Sequence, residues 1–213
     1  MIVDVVFATP LSLLPYAART SHSSVMDCDS MGDELGPNDR KLVEKILRDG
    51  HESVLEHIVY SFKIQGVSRA VLQEWSRHRF ISQTVKSTRF TLGKFVKDFN
   101  PHLEDFADIM AEVSKYCVVP PALDDLEDVV RSLYLMLTDI SDYKLPPDHL
   151  KYLLPEAFKT DIFATINARE LMHILRLRTA PDALWEFRDL AFKLYEGVLE
   201  VHSVLWEGFL DDD

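Results

Sequence analysis

RAVLQEWSRHRFISQTVKSTRFTLGK, residues 69–94, gathers six Lys/Arg (Arg69, Arg77, Arg79, Lys86, Arg89, Lys94) against one acid, Glu74. The whole chain, by contrast, carries a formal charge of -12. Positive charge held together in an acidic protein is costly unless something anionic sits there. Inside the stretch, Arg77-His78-Arg79 is followed after seven residues by Ser87 and then by Arg89. Guanidinium forks, a hydroxyl and backbone N–H groups are the parts that grip phosphate. Two readings compete, a solvated basic face and a phosphate site. Ser87 and Arg89 stand two apart in a segment expected to be extended, where they would share one face, and this favours the phosphate site.

Outward from this stretch, Ser68 to Arg77 reads as a helix that delivers Arg77-His78-Arg79 at its C-terminal end. Before it, Ile58 to Ile64 alternates apolar and polar residues, the pattern of a half-buried strand. Asn38 is expected to N-cap a helix over 39–49 that Gly50 ends. Residues 2–7 read as a buried first strand, 11–19 as a helix and 20–38 as a long loop. On the C-terminal side, 154–165 is expected to be extended, 167–178 helical and 183–206 one long amphipathic helix. Asp211 to Asp213 should form a frayed end.

Between 101 and 150 the character changes. Eleven acids stand against three Lys/Arg, with helical patterns broken at Pro120-Pro121 and Pro146-Pro147. That segment reads as a helical, solvent-facing elaboration carrying little chemistry.

The chain has 213 residues, 47% hydrophobic and 27% charged, which suits one soluble globular domain with a proper core. Cys28 and Cys117 make no disulfide framework, in keeping with a reducing compartment. The apolar start lacks a basic flank and is cut short by Pro10, unlike a signal peptide. No apolar run is long enough to cross a bilayer. A pI near 5.1 argues against a general nucleic-acid binder.

A second polar cluster lies at Asn167-Ala-Arg-Glu-Leu-Met-His-Ile-Leu-Arg-Leu-Arg178. At about 100° per residue, Arg169, His173 and Arg176 share one helix face. Arg178 falls across from them, at the end of an apolar face, where a cation needs a partner if buried and otherwise snorkels to the surface. His51-Glu-Ser-Val-Leu-Glu-His57 places two histidines six apart, about 240° apart on a helix. That is unlike the four-residue spacing of a zincin, and no metal site is expected; capping and hydrogen bonding suit these side chains better. The seven glycines form neither a G-x-G-x-x-G fingerprint nor a Walker loop. Neither cysteine has a basic or His-rich sequence neighbourhood that would create a thiolate nucleophile. Ser87 lacks the G-x-S-x-G setting of an acyl-transfer serine.

Together these segments resemble the flavin-dependent thymidylate synthases. Arg-His-Arg, seven residues and Ser is that family's signature, matched by Arg77 to Ser87. His51 to His57 is similar to its H-x-S/T-x-x-E-H segment, and Gly66-Val-Ser-Arg69 leads into the signature helix. Ala18-Arg19, Leu154-Pro155, Thr160, Asn167-Ala-Arg169, Leu177-Arg178 and Trp185-Glu186 continue the resemblance. Thr84-Val85, Phe90, Asp182 and Leu184 depart from common family forms.

The resemblance implies an α/β fold of the α+β type, with a central mixed or antiparallel sheet flanked by long helices. It implies a single domain over 1–213, with the acidic elaboration at about 101–150, in a cytoplasmic homotetramer whose active sites are shared between subunits. It further implies reductive methylation of dUMP to dTMP, with methylenetetrahydrofolate as carbon donor and FAD and NADPH as reductant. Carried over by position, Ser53, Glu56, Arg77, His78, Arg79, Asn167, Arg169 and His173 fall to FAD. Glu74, Arg77, Ser87, Thr88, Arg89, Lys151 and Arg178 fall to dUMP, with Arg178 as the catalytic cation at the uracil. Neither nucleic acid nor membrane is an expected partner. A flavin or nucleotide oxidoreductase with another acceptor, or a phosphate- or RNA-binding module without catalysis, stands as the alternative.

Overall fold

A computed structural model describes residues 1–22, 28–123 and 126–210. Strand β1 (Ile2–Ala8) is followed by helices α1 (Leu13–His22) and α2 (Pro37–Arg48). A 3-10 turn over Glu52–His57 leads into β2 (Val59–Ser68), α3 (Arg69–Trp75), β3 (Ile81–Val85) and α4 (Thr88–Asp98). Next come α5 (Phe106–Tyr116), α6 (Glu127–Asp142) and α7 (Pro147–Leu150). The chain ends with β4 (Lys159–Asn167), α8 (Ala168–Arg178), α9 (Trp185–Val201) and α10 (Ser203–Trp206). The strands form one antiparallel sheet in the order β1-β2-β4-β3, as the α+β expectation required. Two compact units emerge, Met1–Ile64 with Arg77–Thr84 and Ile162–Asp213, and Gln65–Ser76 with Val85–Asp161.

The second unit holds the acidic segment, which is more than a solvent-facing elaboration. Leu92, Phe95 and Phe99 of the α4 region bury with Ile109 and Val113 of α5 and with Val130, Leu137 and Ile140 of α6. Except for the buried Glu112, the described acids of the segment are exposed, so a charge count over it conceals the apolar stripe beneath. Ser68 starts α3 by accepting a hydrogen bond from Val71 N at 3.1 Å, and the helix stops at Trp75, two residues short of Arg77. Asp161 then clips two chain segments. Its carboxylate accepts from Gly66 N at 3.0 Å and from Lys86 Nζ at 2.9 Å, and its carbonyl accepts from Lys86 N at 2.9 Å. Ser87 and Arg89 do not share an extended face, because Ser87 is the N-cap of α4 and Arg89 lies in its first turn. The β-branched run before them belongs to β3, and the N-cap serine marks the change of backbone. Likewise, the extended stretch expected from 154 begins only at Lys159.

In the first unit, Tyr60, Phe62 and Ile64 of β2 and Ile162, Ala164 and Ile166 of β4 are buried. Leu171, Ile174 and Leu175 of α8 and Phe187, Leu190 and Leu194 of α9 add to the core. Ser61 and Thr165 pair across β2 and β4 through their hydroxyls at 2.9 Å. Contrary to expectation, β1 is an edge strand whose Ile2, Val6 and Phe7 stay 58%, 57% and 56% exposed. Apolar composition marks a strand but not its place in the sheet. Helix α9 packs on β1 closely enough that a Cβ at Gly197 would come within 2.9 Å of Val5 Cγ2.

Helix α2 corrects the capping expectation. Its N-cap is Gly36, with Pro37 at the first turn, and the acceptors come from Asp29, whose carboxylate takes Asn38 N at 3.1 Å and Asp39 N at 3.2 Å. A Cβ at position 36 would sit 2.6 Å from the Asp29 carbonyl oxygen and closer still to its side chain, so only glycine fits there. Gly50, at φ 70°, follows the helix as expected. The loop expected at 20–38 lies partly outside the described residues, and the end expected to fray at 211–213 lies wholly outside them.

The long C-terminal helix breaks at His202, whose backbone (φ -135°, ψ 59°) is not helical. Its ring is tied into the core. Trp206 Nε1 can only donate, so the Tyr60 oxygen accepts from it at 2.9 Å and offers its own proton to His202 Nδ1 at 2.9 Å. His202 Nε2 then donates to Asp33 Oδ1 at 3.1 Å. Burial lowers the His202 pKa from its ordinary 6.5, against the opposing pull of Asp33, and burial raises that of Tyr60 from 10.0.

The unfolded chain therefore takes up a proton that folded His202 refuses, and this stability is lost as pH falls below about 6.5. Folded Tyr60 keeps a proton that the unfolded chain releases, so its contribution is lost as pH rises above about 10. Thermal melts against pH should show His202→Gln flattening the acid limb and Tyr60→Phe the alkaline limb. Identical limbs in wild type and variants would show that other groups set the profile.

Candidate functional site

Three polar segments of the first unit meet at one cavity of about 450 Å³. The 3-10 turn contributes Glu52 and Glu56, held in place because Leu55 between them is buried. Phe80 comes from the link after Arg77-His78-Arg79 and is 76% exposed. From the β4–α8 junction come Asn167, Arg169, Glu170, His173 and Arg176. Asn167 ends β4 and caps α8, its side-chain oxygen accepting from Glu170 N at 2.8 Å. With the apolar face of α8 against the core, Arg169, His173 and Arg176 turn toward the cavity, as the 100° spacing predicts.

Carboxylates hold the rim arginines. Arg169 Nη1 donates to Glu56 Oε1 at 2.6 Å, while its Nε stands 3.6 Å from Glu52 Oε2; Arg176 Nη1 is 3.5 Å from Glu52 Oε1. The Glu56 hydrogen bond raises the Arg169 pKa further above its ordinary value. All four side chains are 40–50% exposed, so solvent screens these pairs and partner exchange is cheap. Two exchangeable guanidiniums, an imidazole, an amide and an exposed phenyl ring suit a ligand with phosphate groups and a planar ring. Burial raises the Glu170 pKa, opposed by His173.

Behind the cavity wall His78 is buried, while Arg77 and Arg79 on either side of it are exposed. Arg178 Nε donates to His78 Nε2 at 3.1 Å, and its guanidinium carbon lies 4.7 Å from the centre of the Phe187 ring. The residue expected at the end of an apolar face is thus partly buried with partners, rather than snorkelling.

Of the residues expected at FAD, Glu56, Asn167, Arg169 and His173 line the cavity, and Ser53 is exposed on the same 3-10 turn. Glu52, Glu170 and Phe80 line it without having been singled out, and Arg176 was flagged only by its helix face. The residues expected at dUMP divide between the units. In the second unit, Ser87 is exposed and its hydroxyl caps no backbone N–H. Arg89 Nε pairs with Asp148 Oδ1 at 2.5 Å across the packed α4 and α7, and Lys151 directly follows α7. Thr88 opens α4, and Glu74 is half-buried on α3.

A further cavity of the second unit, about 310 Å³, is lined by Lys86, Lys94, Lys115 and Lys159 over Phe95, Tyr116 and Phe158. Lys86 is paired with Asp161, Lys115 with Glu112, and Lys159 donates to the Ser114 carbonyl. Among the described residues no group of three or more His, Cys, Asp or Glu is placed to hold a metal ion. Cys28 does have a basic neighbour in space, Arg19 Nη1 at 2.9 Å, yet burial and Asp39 still leave its pKa raised. Burial pushes the Cys117 thiol up to about 12.

Residues 4–203 match the family model described as thymidylate synthase complementing protein. The flavin-dependent thymidylate synthase of Campylobacter jejuni (strain RM1221) is 36% identical over 214 residues, covering 100% of this chain and 99% of its own. This chain belongs to the flavin-dependent thymidylate synthase family. The Wolinella succinogenes member is also 36% identical, with 97% of each chain covered. A crystal structure of the Helicobacter pylori member complexed with FAD and dUMP superposes at a TM-score of 0.84 with 33% identity. That likeness covers 97% of this chain and 98% of the other. Family membership confirms the resemblance read from the Arg77–Ser87 signature and its flanking segments.

Asn167 has two separable roles to test, as cap and as cavity wall. Asn167→Ala should cost about 1 kcal/mol and lower the Tm by roughly 2–4 °C. Asn167→Asp, which keeps the acceptor, should restore the Tm. Equal melting of all three proteins would remove the capping role.

Proposed function

We propose that this chain catalyses the reductive methylation of dUMP to dTMP, with methylenetetrahydrofolate as carbon donor and FAD and NADPH as reductant. The observation that carries this is the meeting of the 51–57, 77–80 and 167–178 segments at one cavity, in a member of this family. Glu56, Arg77, His78, Arg79, Asn167, Arg169, His173 and Ser53 are assigned to FAD. Arg169 would exchange its exposed carboxylate partners for the pyrophosphate, and Phe80 offers an aromatic face. The bound flavin supplies the redox chemistry.

Glu74, Arg77, Ser87, Thr88, Arg89, Lys151 and Arg178 are assigned to dUMP. The N-terminus of α4, with an uncommitted Ser87 hydroxyl and Arg89 beside it, favours an anion such as the phosphate. Arg178 is assigned to the uracil, where a permanent cation stabilises charge that develops on the ring. The thiols support a route without cysteine attack, since burial leaves both with raised pKa values. A cytoplasmic homotetramer with shared sites is part of the proposal. It is supported by the apolar edge of β1, where a second copy would cover Ile2, Val6 and Phe7. Among the described residues no helix is long and apolar enough to cross a membrane.

Tritium release from dUMP labelled at C5 tests the activity. Release should require FAD, methylenetetrahydrofolate and NADPH together; a flavin-loaded protein that releases none has another acceptor. Light scattering on that protein should give a tetramer, and a fully flavin-loaded monomer would refute shared sites.

Arg89→Ala should weaken dUMP binding by roughly tenfold or more while flavin content holds. Parallel loss of both ligands would mean general damage. In Arg178→Ala the fold and flavin content should persist while methylation nearly vanishes, and Arg178→Lys should recover little because an ammonium lacks the planar fork. Normal turnover in well-folded Arg178→Ala would sink the assignment.

A further inference from the structure

His78 belongs to the signature that a flavin ligand would explain, yet the structure turns both of its ring nitrogens inward. Its side chain is only 5% exposed. Arginine has no acceptor, so the 3.1 Å contact from Arg178 Nε requires a lone pair on His78 Nε2. The imidazole is therefore neutral with its proton on Nδ1, the nitrogen that faces Glu170 Oε1 at 3.7 Å. The ring also stands edge-on to Phe187, centroids 5.8 Å apart, and to His173 at 6.2 Å.

Phe187 is fully buried and carries the Arg178 guanidinium 4.7 Å above its face. The guanidinium thus meets both the imidazole and the phenyl ring. The Phe187 face supports the guanidinium carbon, and the bond at Nε restricts how the group can turn. A catalytic cation must stand within a few tenths of an ångström of its productive place, and such precision comes from the groups behind it. Glu170 and His173 line the flavin-candidate cavity on the other side of the same imidazole.

We propose that His78, as the neutral Nδ1–H tautomer, is the positioning residue that sets the Arg178 guanidinium, linking the cavity wall to the cation assigned to the pyrimidine. This rests on the proposed role of Arg178. A histidine that merely filled space would be replaceable by any ring; one that positions Arg178 needs an acceptor at the Nε2 place.

His78→Phe keeps the ring and removes the acceptor, whereas His78→Gln puts an amide oxygen near the Nε2 place and His78→Asn falls short of it. In enzyme saturated with FAD, His78→Phe and His78→Asn should weaken dUMP binding, measured by calorimetry, about tenfold or more. His78→Gln should recover most of that loss. Combined with Arg178→Ala, none of the three should weaken binding further, and melting temperatures of the same pairs should be non-additive. Additive losses, or Gln no better than Phe and Asn, would overturn the proposal. So would loss of flavin with dUMP binding intact, which would make His78 a flavin ligand alone. If wild type does not bind dUMP, the functional assignment fails, and the melting-temperature cycle still decides whether His78 holds Arg178.

Discussion

A single backbone hydrogen bond, from Ala168 N to the Ile58 carbonyl at 2.7 Å, joins the two segments on which the candidate site is built. It ties the first residue of α8 to the residue that closes the 3-10 turn. Glu52 and Glu56 lie on one side of this junction, and Asn167 and Arg169 on the other. The bond could not hold alone, since its net worth is only about 1 kcal/mol. Leu171, Ile174 and Leu175 are fully buried on the adjoining face of α8, and each contributes roughly 1.5–3 kcal/mol. The apolar face therefore sets the rotation of α8, and the polar face follows from it. The screened Arg–Glu pairs at the rim respond to that rotation rather than cause it.

Two kinds of arginine result on one helix. Arg169 and Arg176 are half-exposed and paired with carboxylates that solvent also reaches, so they can exchange partners for a ligand. Arg178, two residues beyond Arg176 and across the helix, meets an imidazole and a phenyl face. One arrangement suits gripping a ligand whose arrival supplies the counter-charge. The other suits holding a cation still where the charge it must meet appears only during reaction. The contrast arises from helix geometry, because 200° of rotation separates positions 176 and 178.

What the sequence discloses is local. The helix face carrying Arg169, His173 and Arg176 follows from spacing alone, and the alternation in β2 and the glycine after α2 are read the same way. Long-range choices are hidden. Asp29 caps α2 from outside the helix because the intervening chain brings its carboxylate there, and no spacing rule announces that. His78 and Arg178 meet across 100 residues. The apolar residues of β1 look like a buried strand, since composition does not separate an edge from a centre. The acidic stretch before β4 hid its core because charge was summed over faces that the helices keep apart. At Ser87 the chain leaves the extended conformation and enters α4, so its spacing from Arg89 does not place them on one strand face.

The distribution of titratable groups bears on the proposed chemistry. Activating a pyrimidine by covalent attack needs a thiolate, and burial drives Cys117 the opposite way while Cys28, even beside Arg19, stays on the protonated side. In the proposed reaction a fixed charge near the ring supplies the activation instead. Lysine could lose its proton on burial, whereas a guanidinium keeps its charge and can stack on an aromatic face without losing its donors. A buried guanidinium still needs an acceptor, and a carboxylate bonded to Nε would neutralise the charge that the reaction requires. A neutral imidazole accepts the bond at Nε without adding a negative charge there. On this view the histidine between two arginines in the signature offers Arg178 an uncharged acceptor at its Nε.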